Sequence, residues 1–183
     1  MSAISFNAFS LNVLEPGEIA ATAGTSAVIY SVTDKNITDL NNRINTFLHC
    51  LNSKTSKRNG LLLCINGSGI AYSWIKSMLK EKSYKEMDIK SEKINSPEGI
   101  KFYPFGNGSE RLFGNKKIDS HILGFDFNKH NNNHIIRSVL EGISFSLCYS
   151  IELLRDFGVN VETVKVGKAN LFLSKVFLCF KVL

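Results

Sequence analysis

The sequence lacks the usual signs of a metal or redox protein. None of Cys50, Cys64, Cys148 and Cys179 forms a CxxC pair. The four histidines, His49, His121, His130 and His134, offer no ligand set, so no metal site is expected. The histidines are expected at the surface or at helix caps. Each cysteine sits inside an apolar run and is expected in a core kept in a reducing compartment. No uncharged apolar stretch reaches the ~18 residues of a membrane span. No basic region opens the chain, and Glu15 and Glu18 follow soon after, so no secretory signal is read. A cytoplasmic location with no membrane partner is the expectation. Repeats and low-complexity segments are also missing. The net charge is +6, yet no basic stripe interleaved with aromatics occurs. The densest cluster is Lys54, Lys57 and Arg58, with Lys116-Lys117 as a second. No nucleic-acid partner is expected. The charge reads as a solvated surface that also suits an anionic ligand.

What is present is an ordinary folding composition. Of 183 residues, 44% are hydrophobic and 21% charged, enough for one domain with a real core. The 13 phenylalanines are spread over the expected elements and are assigned to that core. Glu15-Pro16-Gly17 is a turn closing a lead-in segment. Ile19–Ala23 and Ala27–Val32 flank Gly24-Thr25-Ser26 as a hairpin. Thr46–Leu51, Leu61–Ile65, Ile100–Phe105, Ile122–Phe127 and Val161–Val166 read as further strands. From Gly69 the period changes, and Ala71, Trp74, Ile75, Met78 and Leu79 predict one helical face. The stretch Lys82 to Glu98 predicts one exposed helix. Glu110-Arg111 is expected as a structural ion pair. His134 to Phe157 predicts the longest helix. Its apolar stripe is Ile136, Leu140, Ile143, Leu147, Ile151 and Leu154, with Asn131 to Asn133 before it and Gly158 after. A last helix is expected from Leu171. Together these predict an α/β lobe with a mixed sheet and packed helices.

Three small turns carry the candidate chemistry. Glycine in Gly24-Thr25-Ser26 lets a backbone N–H approach an anion, and two hydroxyls can donate to phosphate oxygens. The plain alternative is a hairpin turn. Gly67-Ser68-Gly69 precedes a helix, so its N–H groups face an anion or serve only as a cap. Gly167-Lys168-Ala169-Asn170 repeats the order strand, glycine turn, helix. Ligands of open α/β sheets collect at strand ends, so the three turns predict a shared nucleotide pocket.

Several segments, in unbroken order over roughly residues 7 to 177, carry a resemblance. Pro16-Gly17-Glu18, then Ala21-Thr22-Ala23-Gly24-Thr25-Ser26 and Val32-Thr33-Asp34, resemble the second phosphate motif of the FGGY carbohydrate kinases. Thr46-Phe47-Leu48-His49 is similar to the strand that follows in the xylulose-specific branch. Gly60 to Trp74 resembles the family's strand, glycine and helix ending in Trp. Pro97-Glu98-Gly99, Phe102-Tyr103-Pro104-Phe105 and Gly108-Ser109-Glu110-Arg111 resemble its Leu-Pro-Tyr and Gly-Glu-Arg segment. Arg137 to Phe145 resembles its long helix, and Val164 to Phe172 its adenosine motif.

The resemblance implies an actin- and hexokinase-like (ribonuclease H-like) lobe over residues 18–177. Residues 1–17 would then be an inter-lobe remnant and 178–183 an atypical apolar tail. It implies ATP/ADP with Mg²⁺ as cofactor, and a nucleotide-binding C-terminal lobe of a kinase acting on a ketopentose of the xylulose kind. Thr25, with Gly24 and Ser26, would meet nucleotide phosphate. Gly69 and Ser73 would lie near the nucleotide, and Gly167 and Asn170 would hold the adenosine. The family's Gly-Gly pair is Val166-Gly167 here. The family's first phosphate hairpin, of the Asp-x-Gly-Thr type, does not occur. Where the general-base aspartate belongs stands Ser2-Ala3-Ile4-Ser5-Phe6, and Asp34 beyond the hairpin is out of reach of a sugar. No catalytic residue is therefore assigned. Both ends suggest a truncated or frame-shifted reading frame. A sugar partner is expected only with the absent lobe, and self-association through the uncovered lobe interface is expected. The competing readings are a non-catalytic nucleotide-binding or protein-interaction module, and a nucleic-acid binder suggested only by charge.

Overall fold

The computed structural model describes residues 11–166. Its frame is a five-stranded mixed sheet. Strands β1 (Glu18–Ala23), β2 (Ala27–Thr33), β3 (Asn45–Leu48), β4 (Asn59–Ile65) and β9 (Thr163–Val166) lie in the order β3-β4-β2-β1-β9. All neighbours are antiparallel except β9, which runs parallel to β1. Alternation along the strands makes two apolar faces. Ile19, Ala21, Ile29, Leu61, Leu63 and Ile65 enter the main core, while Ala20, Tyr30, Val32 and Leu62 face the other way with Val13. Glu18 ties three segments together. Its carboxylate accepts the Leu14 and Glu15 N–H groups at 2.7 and 3.0 Å and the Lys165 ammonium of β9 at 2.6 Å.

The helices are α1 (Gly69–Met78), α2 (Tyr84–Glu92) and α3 (Asn132–Asp156). The expected long helix is α3, and all six residues of its stripe are buried in the main core. Asn131 caps it, accepting the Asn133 N–H at 3.0 Å, and Gly158 takes the left-handed conformation at φ +79 beyond its end. The smaller strands are β5 (Lys101–Tyr103), β6 (Ser109–Glu110), β7 (Lys116–Lys117) and β8 (His121–Leu123), paired β5 with β8 and β6 with β7. Among the described residues no helix is long and apolar enough to cross a membrane. The helix expected from Leu171 lies outside the described residues.

Several expectations are corrected. On α1, Trp74 is 57% exposed and Met78 44%, while Tyr72 and Ile75 are buried. Tyr72 takes the core position because its hydroxyl reaches the Asp88 carboxylate at 2.9 Å, which leaves its ring free to pack. The same bond explains α2, which is not wholly exposed: Met87, Asp88 and Ser91 are buried. The strand expected to Phe127 stops at Leu123, because Gly124 turns at φ +79, packed against the Gly99 carbonyl. The strand from Ile100 ends before Pro104, which has no N–H to pair. His49 is buried, not superficial, and burial lowers its pKa. Cys50 is exposed, and Cys64 and Cys148 are half-buried, so none is a full core residue. Nor are the phenylalanines all internal: Phe127 is 91% exposed.

One buried carboxylate sets the loop between β2 and β3. Asp39 accepts the backbone N–H groups of Asn41, Arg43 and Ile44, and pairs with the Arg43 guanidinium at 3.0 Å. Burial opposes its charge, but the Arg43 side chain and the backbone donors outweigh that and hold its pKa at about 2. The folded value lies below the ordinary aspartate value of 3.8, so the stabilisation is full above that value and is lost as pH falls through about 2. Asp39→Asn should destabilise the fold by about 1–3 kcal/mol at pH 6. The gap between variant and wild type should close towards pH 2. Urea midpoints at the two pH values check this, and an equal gap at both would refute it.

Candidate functional site: two turns at the sheet edge

The β1–β2 turn and the start of α1 touch. Gly24 N–H closes the hairpin onto the Ser26 carbonyl at 2.9 Å. The Ile70 N–H donates to the Thr25 carbonyl at 3.0 Å. A Cβ on Gly69 would lie 2.0 Å from the Gly24 carbonyl oxygen, so only glycine permits this approach. Ser26 Oγ reaches the Asn66 carbonyl at 3.5 Å. Gly24 and Thr25 are exposed and Ser26 half-buried. Ser73 is exposed one helical turn beyond Gly69 on the same face. The structure therefore brings Gly24, Thr25, Ser26, Gly69 and Ser73 to one edge, although about 50 residues separate the first from the last.

The helix start is less open to an anion than its glycines suggest. Ile70 N–H is taken by Thr25, and those of Ala71 and Tyr72 fall back on the Ser68 carbonyl. The accessible groups are instead the tip of the hairpin and its hydroxyls. Ser68 is fully buried, and among the described residues its hydroxyl has no hydrogen-bond partner.

The third turn lies outside the described residues, and Gly167 and Asn170 with it. The strand that leads there is described. Val166 pairs with Ala21, so β9 runs towards the same sheet edge as Ala23 and Gly24.

Sequence reasoning missed what fixes the Asn66–Gly69 turn. A Cβ on Gly67 would lie 1.2 Å from the Pro104 carbonyl oxygen. Asn107 Nδ2 donates to the Asn66 carbonyl at 2.8 Å, and Asn66 Nδ2 to the Ser109 carbonyl at 2.6 Å. Glu110 is fully buried and accepts the Asn66 N–H at 3.0 Å. The ion pair expected with Arg111 is thus corrected: the Glu110 carboxylate serves backbone N–H groups, those of Asn66 and Leu112. Burial raises its pKa, against the pull of those donors. Only the polarity of Glu110 beside a glycine turn signalled this in the sequence. A 370 Å³ groove adjoins the turn, walled by Ile70, Trp74, Pro104 and Ile122.

The contact between the turns is filled by the Gly24 carbonyl, so the exposed hairpin tip with the Thr25 hydroxyl is the part of this edge that suits an anion such as phosphate. Among the described residues no cluster of three or more metal-binding side chains occurs.

No family model matches the chain. Curated relatives do. Xylulose kinase of Bacillus subtilis is 29% identical over 159 residues, covering 86% of this chain and 31% of the relative. Gluconokinase of the same organism is 27% identical over 149 residues, covering 75% of this chain and 28% of the relative. The chain thus spans under a third of the length of these relatives. Among solved structures, xylulose kinase from Rhodospirillum rubrum superposes with a TM-score of 0.80 at 15% identity, over 94% of this chain and 35% of that one. Plasmodium falciparum glycerol kinase with ADP gives 0.78 at 21% identity, over 95% and 36%. At these identities the structures establish the fold, the actin- and hexokinase-like one. The resemblance to the FGGY carbohydrate kinases is borne out by the sequence relatives.

Proposed function

We propose that this chain is the nucleotide-holding lobe of an ATP-dependent sugar kinase. Xylulose kinases and gluconokinases as relatives support the sugar-kinase class. The observation that carries the nucleotide role is the meeting of Gly24-Thr25-Ser26 with the start of α1 at the open edge of the sheet. Thr25 presents an exposed hydroxyl there as a phosphate donor, with Gly24 and Ser26 shaping the turn. Gly69 and Ser73 border the nucleotide, and Gly167 and Asn170 take the adenosine. A ketopentose is the substrate of the whole enzyme in this reading, since xylulose kinases recur among the relatives. When bound, ATP would supply the phosphoryl group and Mg²⁺ would screen its charge.

The 183 residues contain neither an Asp-x-Gly-Thr hairpin nor a Gly-Asp pair. Phosphoryl transfer needs positioning and charge stabilisation from both walls of a cleft. This chain supplies one wall, so a coupled ADP assay with xylulose, ribulose and glycerol should show no sugar-dependent turnover. Trp74, Phe127 and Phe145 are exposed, and self-association of this chain is proposed as well; a single monomer species in sedimentation would refute it.

The direct test is calorimetry with ADP. Thr25→Ala should weaken binding by about 10- to 100-fold, the loss of one hydrogen bond to a charged group. Its unfolding midpoint should not move, because Thr25 is an exposed turn residue. Equal affinities would remove Thr25 from the site, and turnover by this chain would overturn the one-wall reading.

A further inference from the structure

The Asn66 peptide is gripped from both sides by one loop. Its N–H donates to the Glu110 carboxylate at 3.0 Å, and its carbonyl accepts Asn107 Nδ2 at 2.8 Å. Its side chain donates to the Ser109 carbonyl at 2.6 Å. The next residue, Gly67, is pressed against the Pro104 carbonyl, and Gly69 against the Gly24 carbonyl. Ser26 reaches the same Asn66 carbonyl from the hairpin side. The chain of contact therefore runs from loop 104–110, through Asn66–Gly69, to Gly24-Thr25-Ser26. A backbone carbonyl meets a glycine at two points, and hydrogen bonds fix the rest.

We propose that loop 107–110 positions the nucleotide-facing turns, with Glu110 and Asn107 as its two positioning residues. This inference rests on the nucleotide reading above. Neither side chain need touch the ligand. Glu110 holds the Asn66 N–H, and Asn107 holds its carbonyl. Between them they fix how far the start of α1 stands from the tip of the hairpin. A fully buried carboxylate is costly to keep, and burial raises the Glu110 pKa despite its donors. A carboxylate is nevertheless the acceptor that can take the Asn66 and Leu112 N–H groups together, one on each oxygen.

The consequence is selective. Distances between the turns matter for a phosphate chain, which must reach donors on the hairpin. They matter less for adenosine, which carries no phosphate. The test is therefore the ratio of ADP to adenosine affinity, read by calorimetry on the full chain and on Glu110→Gln and Asn107→Ala. In Glu110→Gln the amide NH₂ replaces one acceptor oxygen and faces an N–H donor. The ratio should fall about ten-fold, the loss of one hydrogen bond to a charged group, with adenosine affinity held. Asn107 is a half-buried loop residue, and its truncation opens no core. It should lower the ratio in the same direction, by about three-fold. If Glu110→Gln does not fold, Asn107→Ala decides. A merely structural role would change stability while leaving the ratio where it is, and that result overturns the inference. Failure of the unmutated chain to bind ADP overturns the nucleotide reading itself, and this inference with it.

Discussion

Truncating Leu147 to alanine should lower the unfolding free energy by about 2–5 kcal/mol. Leu147 lies at the middle of the α3 stripe and is fully buried. The helix packs there over the sheet and against α1, α2 and β5. The removed atoms lose their transfer energy, and the hole they leave adds to the loss because sheet and helix cannot both collapse into it. Ordinary domains hold about 5–15 kcal/mol in total, so the variant should sit near the edge of folding at 37 °C. Urea unfolding is the measurement, with the midpoint falling and the slope unchanged. A loss below about 0.5 kcal/mol would mean that α3 does not carry the core.

The second large effect should come from Gly142→Ala, and here two physical terms disagree in sign. Alanine in a helix interior is favoured over glycine by about 1 kcal/mol. Gly142 is interior to α3, so propensity predicts a gain. Its missing side chain, however, lets the Phe102 carbonyl of β5 approach, and a Cβ would lie 2.1 Å from that oxygen. The opposing atom is backbone, so no side chain can swing away. Relief requires β5 to move off α3, which opens the core around Phe102. Overpacking of this kind costs roughly 1–3 kcal/mol or more, and it outweighs the propensity gain. A net loss of about 2 kcal/mol or more is expected in thermal or urea unfolding. A stabilised variant would mean that the close approach of α3 and β5 does not exist in solution.

The sequence revealed those parts of the fold that repeat. The stripe of α3 recurs often enough to fix both its type and its buried face, and the β1–β2 hairpin shows as two β-rich runs around a small-residue turn. Elements decided by a single polar contact were misread. Tyr72 was not among the residues assigned to the apolar face of α1, and its burial depends on the Asp88 carboxylate that partners its hydroxyl; Trp74 was placed on that face because it is large and apolar. Glu110 and Arg111 looked like an ion pair because they are adjacent, while the carboxylate folds inward to three-dimensional neighbours that no local pattern encodes. The candidate site divides the same way. Gly24, Thr25 and Gly69 were legible as turns at strand and helix ends. That Gly69 sits against Gly24, and Gly67 against Pro104, is a property of packing. Asn66 and Asn107 carried no signal beyond being polar.

Among the described residues the one parallel pairing is β1 with β9, and it has a consequence for the order in which the chain can fold. β1 finds β2 a few residues later, but its other edge waits for Thr163, about 145 residues further on. At ribosomal rates of about 5–20 residues per second, that edge stays open for on the order of ten seconds or more. Closing so long a loop is also among the slower steps of folding, since its entropy must be lost before the pairing repays it. An unpaired strand edge over that time is an invitation to join another chain. The small side chains of β1, Ala20, Ala21 and Ala23, offer little apolar surface to such a partner. Once β9 arrives, Lys165 meets Glu18 and closes the edge.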